Sequence, residues 1–156
     1  MKRKILFLSL ALLLPVIVFL FLKKFGRNRF DIPVYHKDSI EYVVGCERIF
    51  KAPYIISDSV ASEIGWQGKE ATLISFAEIP SEGLMRLKED FEPSQLQIVY
   101  SSELAVARLK CMFLVSEKYS AVLVDGKKQI RGYYQLATRE EADRLLMEIS
   151  ILLRDY

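Results

Sequence analysis

Three side chains in this sequence could bind a soft metal or take part in thiol–disulfide exchange: Cys46, Cys111 and the single histidine, His36. The cysteines lie far apart in the chain and form neither a CxxC motif nor a spacing typical of zinc sites. A site built from both thiols, His36 and Met112 would suit Cu(I), which prefers thiolate and imidazole ligands. Because residues so widely scattered rarely converge, we favour a structural role for the two cysteines.

That structural role has two forms, which the sequence leaves open. In an exported domain Cys46 and Cys111 can form a disulfide, because disulfides persist in oxidising compartments. In a cytoplasmic domain they are expected to be two buried thiols that behave as small hydrophobic side chains.

Four carboxylates, Glu78, Glu82, Glu89 and Asp90, lie in one stretch of the sequence and could act as general acids or bases. Such catalysis needs a partner group and a pocket, and the sequence indicates neither of them. We therefore interpret these carboxylates as a solvated helix face, and we predict no catalytic constellation and no enzymatic activity.

The N-terminal segment has a composition typical of a membrane-spanning helix. Residues Ile5–Leu22 carry no charge. As a helix they would span about 27 Å, close to the ~30 Å hydrocarbon core of a bilayer. The run is longer than a signal-peptide core and ends in Phe21–Lys24 rather than at a small-residue cleavage site. This predicts an uncleaved anchor over residues 1–25 that contacts membrane lipid through residues 5–22.

Charge separates the anchor from the rest of the chain. Seven of the 22 basic residues precede Asp31 and no acidic residue does, which leaves 15 basic and 20 acidic residues beyond, a net charge of −5. An acidic domain is a poor nucleic-acid binder, so we exclude that partner. Basic residues flank the apolar run almost equally, so the positive-inside rule does not orient it.

Residues 26–40 read as a linker and residues 41–156 as one domain, in which short apolar runs alternate with helical patterns. Asp125-Gly126 between two β-type runs indicates a hairpin, and Thr138 with Glu141 indicates a capping box. The expected elements, in chain order, are a strand at Ala71–Ala77, a helix at Ser81–Phe91 with Ser81 as N-cap, a strand at Leu96–Tyr100, a helix at Ser102–Lys110, an apolar run at Cys111–Val115, a hairpin of Ala121–Val124 and Gln129–Tyr134, and a closing amphipathic helix.

This order, βαβ followed by ββα, is the thioredoxin-like arrangement. It predicts an α/β fold with a mixed central sheet and helices on both faces. Within it we expect Trp66 at the edge of the core and His36 pointing into water. Of Tyr133 and Tyr134, one should face the core and the other solvent, because side chains alternate along a strand.

Two stretches carry a family likeness. Lys24–Tyr35 (KFGRNRFDIPVY) resembles the membrane-proximal segment of bacterial Sco proteins, and Ala121–Leu153 resembles their closing hairpin and helix. Sco proteins are thioredoxin-fold copper and redox proteins that assist cytochrome oxidase assembly. The resemblance implies a single-pass protein of the bacterial inner membrane whose C-terminal domain faces the periplasm, with oxidase assembly factors as partners.

The chain departs from that family at the metal site. Sco proteins bind copper through a CxxxC and a histidine, but the matching segments here, Phe76–Leu84 (FAEIPSEGL) and Ser116–Ser120 (SEKYS), contain neither residue. The resemblance therefore implies a non-catalytic accessory protein without a cofactor. The alternative is a copper-binding or thiol–disulfide protein that uses Cys46 and Cys111.

Overall fold

The computed structural model describes residues 2–25, 31–40, 46, 49–77, 82–102 and 105–154, and within the first helix only the side chains of Lys4 and of residues 12–24. Two compact units, Met1–Phe30 and Asp31–Tyr156, are distinguished by their internal contacts. The elements are α1 Lys2–Phe25, α2 Asp58–Glu63, β1 Ala71–Ser75, α3 Glu82–Asp90, β2 Leu96–Tyr100, α4 Val106–Met112, β3 Ala121–Asp125, β4 Ile130–Tyr134 and α5 Arg139–Leu152.

Helix α1 corrects the expected anchor. It runs from Lys2 to Phe25 with Pro15 inside it. In the part of the chain that the structure describes, no helix combines the length and the apolarity needed to cross a bilayer. On these residues, the prediction of a transmembrane helix is wrong.

The second unit is a mixed α/β domain built on one four-stranded sheet with strand order β2-β1-β3-β4. β1 pairs with β2 in parallel, and α3 makes the crossover between them. β3 runs antiparallel to both β1 and β4. Strand β2 has the bounds that the sequence predicted, and the hairpin of β3 and β4 forms around the Asp125-Gly126 turn.

Both faces of this sheet are buried beneath helices, and a hydrophobic cluster fills each side. The first cluster packs side chains of α3 and α5 on the sheet, including Leu84, Leu87, Leu145 and Ile149. The second packs side chains of α2 and of α4 with its following loop, including Val60, Ile64, Leu109 and Phe113. Tyr133 and Tyr134 lie on opposite faces of the sheet. Both are nevertheless buried, at 6% and 0% exposure, because helices cover both faces. The expectation that one of them is exposed is wrong.

Several local expectations differ from the structure. Strand β1 ends at Ser75 instead of the predicted Ala77. The apolar run Cys111–Val115 contains the last residues of α4 and the start of the following loop, in which Leu114 has φ +56°. The capping box is not formed. Thr138 occupies the N-cap position of α5 but makes no capping bond, and its hydroxyl donates to the Gln135 carbonyl instead. The proposed N-cap Ser81 lies outside the described residues.

Residues 31–36, here called the β4 strap, form part of the expected linker, whose residues 26–30 are not described. The strap packs on the sheet instead of extending into solvent. The Tyr35 N–H donates to the Ile130 carbonyl at 2.9 Å, and Arg131 pairs with Asp31 at 2.8 Å. Ile32 is buried in the first cluster. The strap therefore covers the outer side of β4.

Candidate functional site

Cys46 and Cys111 are joined in a disulfide across a sequence separation of 65, with a Cα–Cα distance of 5.3 Å. Cys111 lies in the last turn of α4 and is half-buried, whereas Cys46 is buried. The Cα separation lies within the usual range for bridged cysteines. Of the two arrangements that the sequence left open, the structure has the disulfide.

This bond removes both sulfur ligands from the soft-metal site considered above, because a thiolate rather than a disulfide binds metal. Met112 is buried, and its carbonyl accepts a hydrogen bond from the Tyr54 hydroxyl. Across the described ranges, no three His, Cys, Asp or Glu side chains are placed to hold a metal ion together.

His36 belongs to a different cluster, in the β4 strap. Its Nε2 atom lies 2.8 Å from the Tyr133 hydroxyl, which itself donates to the Phe113 carbonyl at 2.9 Å. The hydroxyl's one hydrogen is therefore used, so Nε2–H must be the donor to Tyr133. The expectation that His36 points into water is wrong. Sequence gave no signal for this pair, because 97 positions separate the partners.

Tyr133 is the centre of this aromatic cluster. The ring of Tyr35 meets it edge-on at 5.3 Å between centroids, and the ring of Tyr119 stacks on it at 5.5 Å. Burial, with smaller contributions from neighbouring tyrosines, raises the pKa of the Tyr133 hydroxyl above its ordinary value. A hydroxyl that remains neutral and has both a donor and an acceptor partner serves to hold the strap on the sheet.

The carboxyl end of β1 is the position where the sequence resemblance led us to expect the counterpart of the Sco CxxxC segment. Here the chain continues into Phe76, whose N–H donates to the Ser120 carbonyl at 2.8 Å, and Ala77, whose N–H donates to the Ser75 hydroxyl at 3.3 Å. Phe76 is buried and packs against Phe113, with ring centroids 6.4 Å apart. The described side chains at the carboxyl end of β1 therefore present apolar rings and hydroxyl groups.

At this end of the sheet, Ser101 and Ser116 each have a buried hydroxyl that finds no hydrogen-bond partner among the residues described. Ser101 directly follows β2, and its N–H donates to the Ser75 carbonyl at 3.0 Å. Ser116 lies in the loop before β3. Hydroxyls can bond water or a polar ligand, but they cannot replace thiolate or imidazole toward Cu(I).

The four carboxylates noted in the sequence do not form a described acid–base pair. Glu78 and the side chain of Glu82 lie outside the described residues. Glu89 and Asp90 are exposed on α3. Asp90 borders an open groove of about 530 Å³ that also involves Phe91 and α5.

Trp66 is half-buried and packs against the second hydrophobic cluster. The adjoining loop is held by a residue that sequence reasoning missed, Gln97 of β2. Its side-chain carbonyl accepts the Gln67 N–H at 3.0 Å, and its amide donates to the Gly65 carbonyl at 2.8 Å. Trp66 therefore lies in a loop that is fixed to the sheet.

Comparisons with known proteins add no assignment: no family model matches the chain, and neither a curated protein nor a solved structure was found to be similar to it.

Proposed function

We propose that the domain is a Sco-like, non-catalytic accessory protein that binds other proteins during cytochrome oxidase maturation. One observation carries the proposal. The two segments that correspond to the Sco copper site, Phe76–Leu84 and Ser116–Ser120, contain no cysteine or histidine, and Phe76 fills the described part of the first with a buried ring. Electron transfer and Cu(I) binding both need ligands that these segments lack.

The same end of the domain has a surface that a protein partner could contact. Glu117 and Lys118 are exposed in the segment before β3, and Ser102 is exposed after β2. In an accessory role these side chains would contact an assembly factor directly, because loops held by a rigid sheet commonly carry binding residues.

The disulfide supports a location outside the cytoplasm, in the periplasm as the Sco resemblance implies. Disulfides persist in oxidising compartments and are rare where thioredoxin and glutathione keep thiols reduced. Thiol labelling of protein taken directly from cells, with and without reductant, tests this part of the proposal. Labelling of Cys46 and Cys111 without reductant would contradict it.

Site-specific photo-crosslinking in intact cells tests the partner. A crosslinking residue at Glu117 is expected to capture a protein of the oxidase assembly machinery. The same residue at Arg139, exposed at the start of α5, is the matched control and is expected not to capture it. Capture of no such protein at position 117, or equal capture at both positions, would contradict the proposal.

A second candidate, copper binding or thiol–disulfide exchange at Cys46 and Cys111, is favoured by the partial exposure of Cys111. A substrate dithiol would transfer two electrons and two protons to the disulfide, leaving a substrate disulfide and two protein thiols. Titration of the reduced full chain with Cu(I) distinguishes the candidates. Stoichiometric binding that is lost in both Cys46→Ser and Cys111→Ser would replace the accessory role with this one.

A further inference from the structure

Strand β2 is an edge strand, and among the described residues the outward backbone groups of Ile98 and Tyr100 have no hydrogen-bond partner. The Ala71 N–H bonds to the Gln95 carbonyl and the Ser101 N–H to the Ser75 carbonyl. In a parallel pair this pattern directs the backbone N–H and C=O groups of the odd-numbered residues of β2 toward β1. The backbone groups of Ile98 and Tyr100 therefore point outward, whereas the outward N–H of Leu96 is used by the Glu92 carbonyl.

The two edges of the sheet are treated differently. The β4 edge is covered by the strap and carries the charged Arg131. β2 reads Leu-Gln-Ile-Val-Tyr, without a charge, a proline or a glycine. Natural proteins protect exposed edges with charges, prolines, bulges or a covering segment, because an open edge accepts another strand. An uncharged edge that no described segment covers at Ile98 and Tyr100 is suited to strand pairing.

We propose that β2 pairs antiparallel with β2 of a second copy of this chain, with the two-fold axis at Ile98. Residues with outward backbone groups then face one another: Ile98 lies opposite Ile98, and Leu96 lies opposite Tyr100. The two Ile98 residues exchange a pair of hydrogen bonds, and each Tyr100 N–H donates to the opposite Leu96 carbonyl. Such a symmetric pairing joins two four-stranded sheets into one.

Charges beside the strand are complementary in this register and favour a second copy as the occupant. The Lys88 ammonium lies over the Tyr100 ring, 5.2 Å from its centroid. Glu92 is exposed at the Leu96 end of the strand. Antiparallel pairing brings the Tyr100 end of one copy to the Leu96 end of the other, and with it Lys88 toward Glu92. No like charges on β2 itself oppose the pairing, since the strand has none.

Cysteine crosslinking of the full chain tests the register. The natural cysteines are already bonded to each other, so an introduced thiol is the free one. Ile98→Cys places two thiols on the axis, where Cα atoms of a hydrogen-bonded antiparallel pair are about 5.5 Å apart, within disulfide range. We expect a disulfide-linked dimer on a non-reducing gel after mild oxidation.

Tyr100→Cys is the matched control on the same strand. In the proposed register the two copies of residue 100 are offset by four positions, about 13 Å along the strands, and cannot be bridged. A mixture of Tyr100→Cys and Leu96→Cys chains should crosslink to each other. Crosslinking of Tyr100→Cys to itself at the rate of Ile98→Cys would overturn the register.

A charge on the axis tests the interface without crosslinking. Ile98→Lys sets two ammonium groups against each other and is expected to convert the dimer to monomer by sedimentation, with the circular dichroism spectrum retained. A wild-type chain that sediments as a monomer at micromolar concentration would overturn the proposal. So would a photo-crosslinker at position 98 that captures a different protein in cells instead of a second copy.

Discussion

The His36 imidazole donates to the Tyr133 hydroxyl across 2.8 Å, and this contact attaches the strap to the second face of the sheet. Tyr133 in turn donates a hydrogen bond to the Phe113 carbonyl in the loop after α4. A single buried hydroxyl therefore connects three segments that are distant in sequence, and its removal should affect all of them.

Tyr133→Phe keeps the ring packing but removes the hydroxyl. The Phe113 carbonyl and the His36 N–H then each lose the hydrogen bond to Tyr133, which should lower the free energy of unfolding by about 1–3 kcal/mol. Urea denaturation followed by circular dichroism measures this loss. Tyr119→Phe is the control, because that ring stacks on Tyr133 without a hydroxyl hydrogen bond in the described residues; an equal loss in both variants would contradict the assigned role.

The domain should lose stability at alkaline pH through Tyr133 and Tyr134. Burial raises the pKa of both hydroxyls, and the hydrogen bond to Glu148 raises that of Tyr134 further. The folded state holds these protons more tightly than the unfolded chain, where tyrosine has a pKa of about 10. The stabilisation that comes from the raised pKa values of Tyr133 and Tyr134 is therefore complete below pH ~10 and is lost as the pH rises above it.

Urea unfolding at several pH values between 8 and 11 measures this loss, and Tyr134→Phe should reduce the slope above pH ~10. Tyr100→Phe, at an exposed position, should leave the slope as in the wild type. A slope that does not change in Tyr134→Phe would contradict the prediction.

Reduction of the disulfide should destabilise the domain. The loop between Cys46 and Cys111 spans 65 positions, for which the loop-entropy model gives about 4 kcal/mol. Thermal unfolding with and without dithiothreitol measures the difference. The double variant Cys46→Ala/Cys111→Ala should match the reduced protein and be insensitive to dithiothreitol, and an equal response in variant and wild type would exclude this disulfide as the cause.

Gln97→Leu should destabilise the loop that carries Trp66. The substitution leaves the Gln67 N–H and the Gly65 carbonyl without the side-chain partner they have now, at a cost of about 1–3 kcal/mol. Hydrogen exchange of the Gln67 amide should accelerate. Gln95→Leu, at an exposed neighbouring position, is the matched control and should change neither the free energy of unfolding nor the exchange rate of the Gln67 amide.

Gly132→Ala should strain β4. A Cβ at this position would clash with the Tyr134 hydroxyl oxygen and lie 2.7 Å from the ring atom that bears it. Overpacking of this kind costs about 1–3 kcal/mol, measured as a lower denaturation midpoint. In a Tyr134→Leu background the ring is absent and the added cost should shrink; strict additivity of the two changes would contradict the predicted clash.

Local patterns in the sequence were sufficient where the deciding interactions are local. Strand β2 at Leu96–Tyr100 and the hairpin around Asp125-Gly126 follow from short apolar alternation and turn chemistry. The apolar face of α5, with Leu145 and Ile149 buried, follows from helical periodicity. Hydropathy was less reliable at the N-terminus, where an apolar run predicted a span that the described residues do not support.

Sequence alone supplied the residues of the candidate site, including the absence of cysteine and histidine from Phe76–Leu84 and Ser116–Ser120. Only the tertiary structure decided that Cys46 bonds to Cys111, that His36 meets Tyr133, and that both faces of β4 are covered. These contacts join distant positions, and they depend on strand register and on which helix covers which face. No periodicity within one segment encodes that information, because it exists only once the segments pack together.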